Sequence, residues 1–188
     1  MTFTDDQQKA QPLLEQHGII IAPEEINHDT YIELSWALRI GRELHPAQPL
    51  EFRCCGVGGE SSRSFAIYDL VQQDGNIDGI ALGRVSSGHS IIWSGCNRRF
   101  VYPTAMVSVH QSKNGSWQQG QVQRDYELGY EQTKWTNSRL VEIYEKVSNQ
   151  GADYWHDKVF GAGMELFNID ANQLVELDMA KPISERAL

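Results

Sequence analysis

The sequence predicts an α/β fold built on a mostly parallel sheet. Three observations carry this. Short runs rich in β-branched residues alternate with longer segments of helical periodicity. Three of those runs open directly into Gly, Ser or His, the residues that gather at the carboxyl ends of strands in open sheets. No repeat or linker divides the 188 residues, a length that suits one domain with a sizeable core.

The elements follow in order. Residues 1–17 are Gln-rich, contain Asp5-Asp6 and show no periodicity, so they read as a flexible N-terminal segment. Residues 18–22 (GIIIA) form a buried strand before Pro23. Asn27 or Asp29 caps a helix running to Leu44, with Ile32, Trp36, Ile40 and Leu44 as its apolar face. His45-Pro46 ends it. Residues 50–55 (LEFRCC) are a second strand that enters Gly56-Val57-Gly58-Gly59. A helix over 62–72 follows, closed by the turn Asp74-Gly75-Asn76. Residues 77–82 are a third strand ending at Gly83, and 87–94 a short buried helix. Pro103 keeps 100–103 extended, and 105–110 (AMVSVH) is a fourth strand. Residues 111–121 are a polar loop. A long helix spans 122–149, with Leu140, Ile143, Tyr144 and Val147 on its buried face, and Gly151 stops it. Beyond lie Gly161-Ala162-Gly163, a helical segment near 170–174, and a polar tail from Lys181.

Composition narrows the function. Sixteen basic against 25 acidic residues give a formal net charge of −9, which disfavours nucleic acid and anionic membranes as partners. The three cysteines, Cys54, Cys55 and Cys96, are odd in number and lack CxxC spacing. They read as buried thiols in a reducing compartment, with neither disulfides nor a metal site expected. The polar N-terminus does not resemble a signal peptide, and no apolar run approaches a membrane span, so a cytoplasmic protein is expected.

The chemistry collects at three strand ends: Gly58-Gly59, Ser86-Ser87 and His110. A serine hydroxyl is a weak nucleophile until a neighbouring base takes its proton. That base is usually a histidine oriented by a carboxylate. Backbone N–H groups must then face the developing oxyanion, and glycine lets backbone approach a substrate closely. Spacing alone favours the plainer reading, in which the two serines are turn residues and His110 is an ordinary histidine.

Four segments turn that reading. GVGGESSRSFAIYDLV (56–71) carries a glycine pair followed by an Ala-Ile-Tyr-Asp helix. GRVSSGHSII (83–92) places a glycine ahead of small residues and a serine. RFVYPTAMVSVHQ (99–111) ends in His-Gln, and Gly120-Gln121 precedes Asp125. In this order and spacing they resemble the proteolytic subunit of the Clp protease, the ClpP family, over residues 18–149. The resemblance implies a ClpP/crotonase-like spiral of β-β-α units with a protruding handle helix. The head would cover about 18–121 and 150–180, the handle about 122–149, and a polar tail 181–188. It implies a serine endopeptidase with Ser87 as nucleophile, His110 as base, and Gly59 and Gly88 as oxyanion-hole donors. Counting from Gly88 instead of Gly83 selects Ser86. Asp157 is the best match for the triad acid, with Asp153 and Asp170 as alternatives. Activity is then expected to fall as acid protonates His110.

The family assembles as stacked, usually heptameric rings fed by an AAA+ unfoldase, with peptides or unfolded proteins as substrates. Tyr126, Tyr130 and Trp135 on the long helix would suit a subunit interface. No cofactor is implied; ATP would be used by the partner, since no Gly-x-x-x-x-Gly-Lys-Ser/Thr loop is present. Departures are Val57 where the family has proline, Arg84 near the site, and His89, which reads as a surface or interface histidine, as does His156. Two other readings share the fold: an inactive ring subunit, and a crotonase-like acyl-thioester enzyme, which would not need the Ser–His pair.

Overall fold

The computed structural model describes residues 5–112, 123–161 and 166–186. The chain opens with helix α1 (Asp5–His17), where the sequence reading expects a loose segment. Leu14 accounts for the difference. It packs on the core beside Gly41, and its carbonyl accepts a 2.8 Å bond from the His45 ring. Tertiary packing supplies order that local propensity does not.

Strand β1 (Ile19–Ile21) and the short β2 (Glu25–Ile26) follow. Helix α2 (His28–Leu44) starts at a capping box: the Asn27 side chain accepts from Thr30 N and Thr30 Oγ1 from Asn27 N, satisfying donors that a helix start leaves open. Its buried row is Leu34, Leu38 and Gly41, not the predicted Ile32, Trp36, Ile40 and Leu44. Trp36 is 45% and Leu44 50% exposed. The helix carries two apolar rows, and Gly41 lets Leu50 approach the Leu34 row.

Strands β3 (Leu50–Gly56) and β4 (Gly58–Gly59) lead into α3 (Ser61–Asp74), capped by left-handed Gly75. Strand β5 (Ile77–Ser86) does not stop at Gly83 as expected. Gly83 takes φ +53°, and the strand bends there and continues. Its first half pairs with β6 (Arg98–Val101), and its second half with β7 (Met106–Val109). The bend carries Ser86 and Ser87 alongside β7, the strand that His110 directly follows. After β5 comes α4 (Gly88–Gly95), buried along its whole length.

Helix α5 (Gln123–Lys146) buries Leu140, Ile143 and Tyr144 as predicted, together with Asn137 and Val141. Helix α6 (Ala152–His156) runs into a π-helical turn over Asp157–Gly161. Strand β8 (Phe167–Asp170) is antiparallel to β7 and was not anticipated. Asp170 caps α7 (Ala171–Glu176) by accepting from Gln173 N. The expected polar tail is structured: β9 (Lys181–Pro182) pairs with β6. Beyond it, Arg186 reaches two buried carboxylates, Glu51 and Asp78.

Among the described residues the main sheet runs β1-β3-β5-β6-β9, with β7 on β5 and β8 on β7, and all its pairs are parallel except β7–β8. The mostly parallel α/β architecture is therefore as predicted. The core gathers Phe52, Ile67, Ile92, Trp93 and Trp155 between the sheet and the helices. No helix among the described residues is long and apolar enough to cross a membrane.

Candidate active site

Ser87 stands where β5 passes into α4. Its φ is +53° and its ψ −119°, a conformation costly for a residue with a Cβ. Hydrogen bonds on both sides hold it there. Its N–H donates to Ser108 O at 2.9 Å, and its carbonyl accepts Ser90 N at 2.9 Å. The turn lifts the side chain out of the strand. Ser86 by contrast is buried in β5, and its Oγ accepts from Arg84 Nε at 2.8 Å. Of the adjacent serines, it is Ser87 that lines a cleft.

That cleft, about 170 Å³, is lined by Gly59, Ser61, Ser87, Ile91, His110 and Tyr144, with Ser112 and Leu140 completing the wall. Three predicted residues from three strand ends thus meet in one concavity. His110 directly follows β7. Its Nδ1–H donates to the Gln111 carbonyl at 2.6 Å, because a carbonyl can only accept. This fixes the tautomer that leaves Nε2 as an acceptor, the form a general base requires. Among the described residues no hydrogen bond joins Ser87 Oγ to His110; such contacts often close only with substrate in place.

The glycine pair packs on the serine turn. A Cβ built on Gly58 would lie 2.6 Å from Ser87 Cβ and 2.8 Å from both Gly88 N and Ser86 O. Gly58 and Gly59 also adopt φ +104° and +147°. Only glycine fits this approach. A Cβ on Gly88 would meet Ser64 Oγ and stand 3.4 Å from Gly59 N, so the two predicted oxyanion donors lie close together. Gly88 opens α4, whose N-terminus directs its open N–H groups and positive end toward the turn.

The acid is placed differently. Asp157 has a side chain 72% exposed and pairs with Lys158 at 3.7 Å. It does not line the cleft and shares no hydrogen bond with His110 among the described residues. Asp153 does not line the cleft either, and Asp170 is committed to capping α7. Ser108 Oγ donates to Asn168 Oδ1 at 2.7 Å across the β7–β8 pair. Continuing that register by two residues on the same face sets Leu166 opposite His110.

His89 corrects the surface reading. It is fully buried, donates Nε2–H to Pro23 O at 2.7 Å, and leaves Nδ1 without a partner among the described residues. Burial pushes its pKa down, against smaller opposing effects of Pro23 and Glu24. It backs the end of β3 at Gly56, where a Cβ would stand 2.6 Å from its ring. His156 packs on Phe160 at 4.5 Å. Sequence reading missed Tyr144 and Ser90 as neighbours of the site. Tyr144 was recognised only as a core position of the long helix. Gly120-Gln121, the Asp125 and Tyr126 side chains and Ala162-Gly163 lie outside the described residues. So do most of the predicted polar loop, and residues 1–4, 187 and 188 at the ends. Among the described residues, no cluster of His, Cys, Asp and Glu could hold a metal ion.

The family model of Clp protease matches residues 4–159. The chain belongs to the Clp protease family. No curated protein sequence matches it. Among solved structures it is similar to a point mutant of ClpP1 from Listeria monocytogenes, with a TM-score of 0.77 at 15% identity. The match covers 93% of this chain and 94% of that one. At that identity the likeness speaks for the Clp protease fold alone.

Proposed function

We propose that this chain is a serine endopeptidase subunit, with Ser87 and His110 as the reacting pair. The observation that carries the reading is the meeting of three features in one cleft: a strained serine, a histidine held in the base tautomer, and the Gly59 backbone. His110 Nε2 takes the proton from Ser87 Oγ as it attacks the peptide carbonyl. The Gly59 and Gly88 N–H groups receive the oxyanion. His110 then gives the proton to the leaving amine, which departs as the acyl-enzyme forms. Water, activated by the same histidine, releases the acid and restores the serine. The Gln111 carbonyl orients the imidazole but, being uncharged, stabilises the imidazolium less than a carboxylate would.

Assembly into stacked rings, heptameric in the family's usual form, is part of the same proposal, as is feeding by an AAA+ unfoldase. Exposed Trp36 and Leu44 on α2 and Leu128, Tyr130 and Trp135 on α5 support self-association. An inactive ring subunit is favoured by one observation, that no described carboxylate serves His110.

Hydrolysis of fluorogenic peptides by the full chain, sized by native mass spectrometry, separates the readings. Cleavage by assembled particles that falls at least about 10³-fold in Ser87→Ala supports the peptidase. Assembled particles without cleavage support the inactive subunit. Cleavage that persists in Ser87→Ala overturns the assignment.

A further inference from the structure

Two buried hydroxyl groups stand directly behind Ser87. Ser90 on α4 donates Oγ–H to the Ser87 carbonyl at 2.6 Å, and its Oγ lies 2.7 Å from Tyr144 Oη on α5. Ser90 has one hydroxyl hydrogen and has spent it, so Tyr144 is the donor of the second bond. Burial pushes the Tyr144 phenol up, which keeps its proton in place. The Ser87 carbonyl also accepts Ser90 N at 2.9 Å and Ile91 N at 3.3 Å.

The orientation of that carbonyl is the ψ of Ser87, so this chain of hydroxyls holds one dihedral of the strained turn. A second consequence follows from the planarity of the peptide unit. The Ser87 carbonyl and the Gly88 N–H are one rigid group pointing in opposite directions. Whatever pins the carbonyl also aims the N–H.

We propose that the buried pair Tyr144–Ser90 positions the Ser87–Gly88 peptide, holding the nucleophile's turn and aiming the Gly88 N–H at the oxyanion. The inference rests on the acyl-transfer reading above. Tyr144 and Ser90 are positioning residues, since neither touches a reacting atom. Because Tyr144 belongs to α5 and packs on Trp155 at 5.2 Å, the seat of the long helix bears on the nucleophile through one phenol hydroxyl.

The test uses the full chain and a fluorophosphonate probe, measuring the maximal labelling rate and the probe's binding constant separately. Ser90→Ala is expected to lower the maximal rate about tenfold, and Tyr144→Phe three- to tenfold, with binding unchanged, since small displacements of reacting groups are paid in rate. Tyr144→Phe keeps the ring and its packing, so it guards against misfolding of Ser90→Ala. The double variant should be no slower than Ser90→Ala, because the tyrosine acts through the serine. A role in folding alone would lower the melting temperature and leave the rate of the folded fraction intact. Unchanged rates in both single variants, with the wild type labelled, overturn the positioning role while the acyl-transfer reading stands. Losses that multiply in the double variant overturn the relay. A wild type that takes no label overturns the reading on which the inference rests, and the inference with it.

Discussion

Replacing Gly58 by alanine tests the packing of the glycine pair against the serine turn. Two costs add. The residue sits at φ +104°, where a side chain costs about 2 kcal/mol. The new Cβ would stand 2.6 Å from Ser87 Cβ and 2.8 Å from Gly88 N and Ser86 O. Two of these neighbours are backbone and cannot rotate away, and such overpacking costs about 2 kcal/mol more. The sum, about 4 kcal/mol, is a large share of an ordinary domain's stability. Gly75 provides the contrast. It has φ +73° but nothing within 4 Å of an added Cβ, so Gly75→Ala should cost only about 1 kcal/mol. Urea unfolding of the two variants gives the difference directly. Fluorophosphonate labelling adds a second readout: Gly58→Ala should label at least about tenfold more slowly, because relief of the clash displaces the turn, and Gly75→Ala should label normally. Equal stability losses with full labelling in both variants would refute the packing argument.

Three other outcomes are expected. Arg186→Ala leaves the buried Glu51 and Asp78 to Arg53 and Arg98 alone, and should destabilise by about 2 kcal/mol in urea unfolding, less than removal of a sole partner would. With an aromatic disulfide reagent, exposed Cys55 should react in the native protein, whereas Cys54 and Cys96 wait for unfolding; burial pushes the Cys96 thiol up to about 12 and Cys54 well above its usual value. His89 has a folded pKa below its unfolded value, so below the unfolded pKa of about 6.5 the unfolded state binds more protons and stability falls with pH. His89→Gln should flatten the stability profile measured by urea unfolding between about pH 6.5 and 5, and an unchanged slope would show that other groups cause it.

The local signals that were legible are those written in adjacent residues. Asn27 and Thr30 announce the start of α2, Asp74-Gly75 the end of α3, and the β-branched runs most of the parallel strands. Ser87 and His110 were singled out by the resemblance of their segments to the family's; the strand-end pattern alone reads as a turn serine and an ordinary histidine. Other features depend on what lies across the fold. Two apolar rows on α2 look alike until Leu50 and Gly41 meet. A glycine after a strand reads as a stop, yet at Gly83 it serves as a bend. Strand β8 carries no alternation strong enough to announce itself and exists through its pairing with β7. The acid had no such anchor, because its place depends on how the chain returns after α5. That return sets Asp157 in solvent beside Lys158.

The central claim, an activated Ser87 served by His110, is tested most directly by mapping the site of fluorophosphonate attachment by mass spectrometry in the wild type, Ser87→Ala, Ser86→Ala and His110→Ala. Label on the peptide containing Ser87 that persists in Ser86→Ala and vanishes in both Ser87→Ala and His110→Ala is the predicted result. Label that survives in Ser87→Ala, or an assembled wild type that takes none, would contradict it.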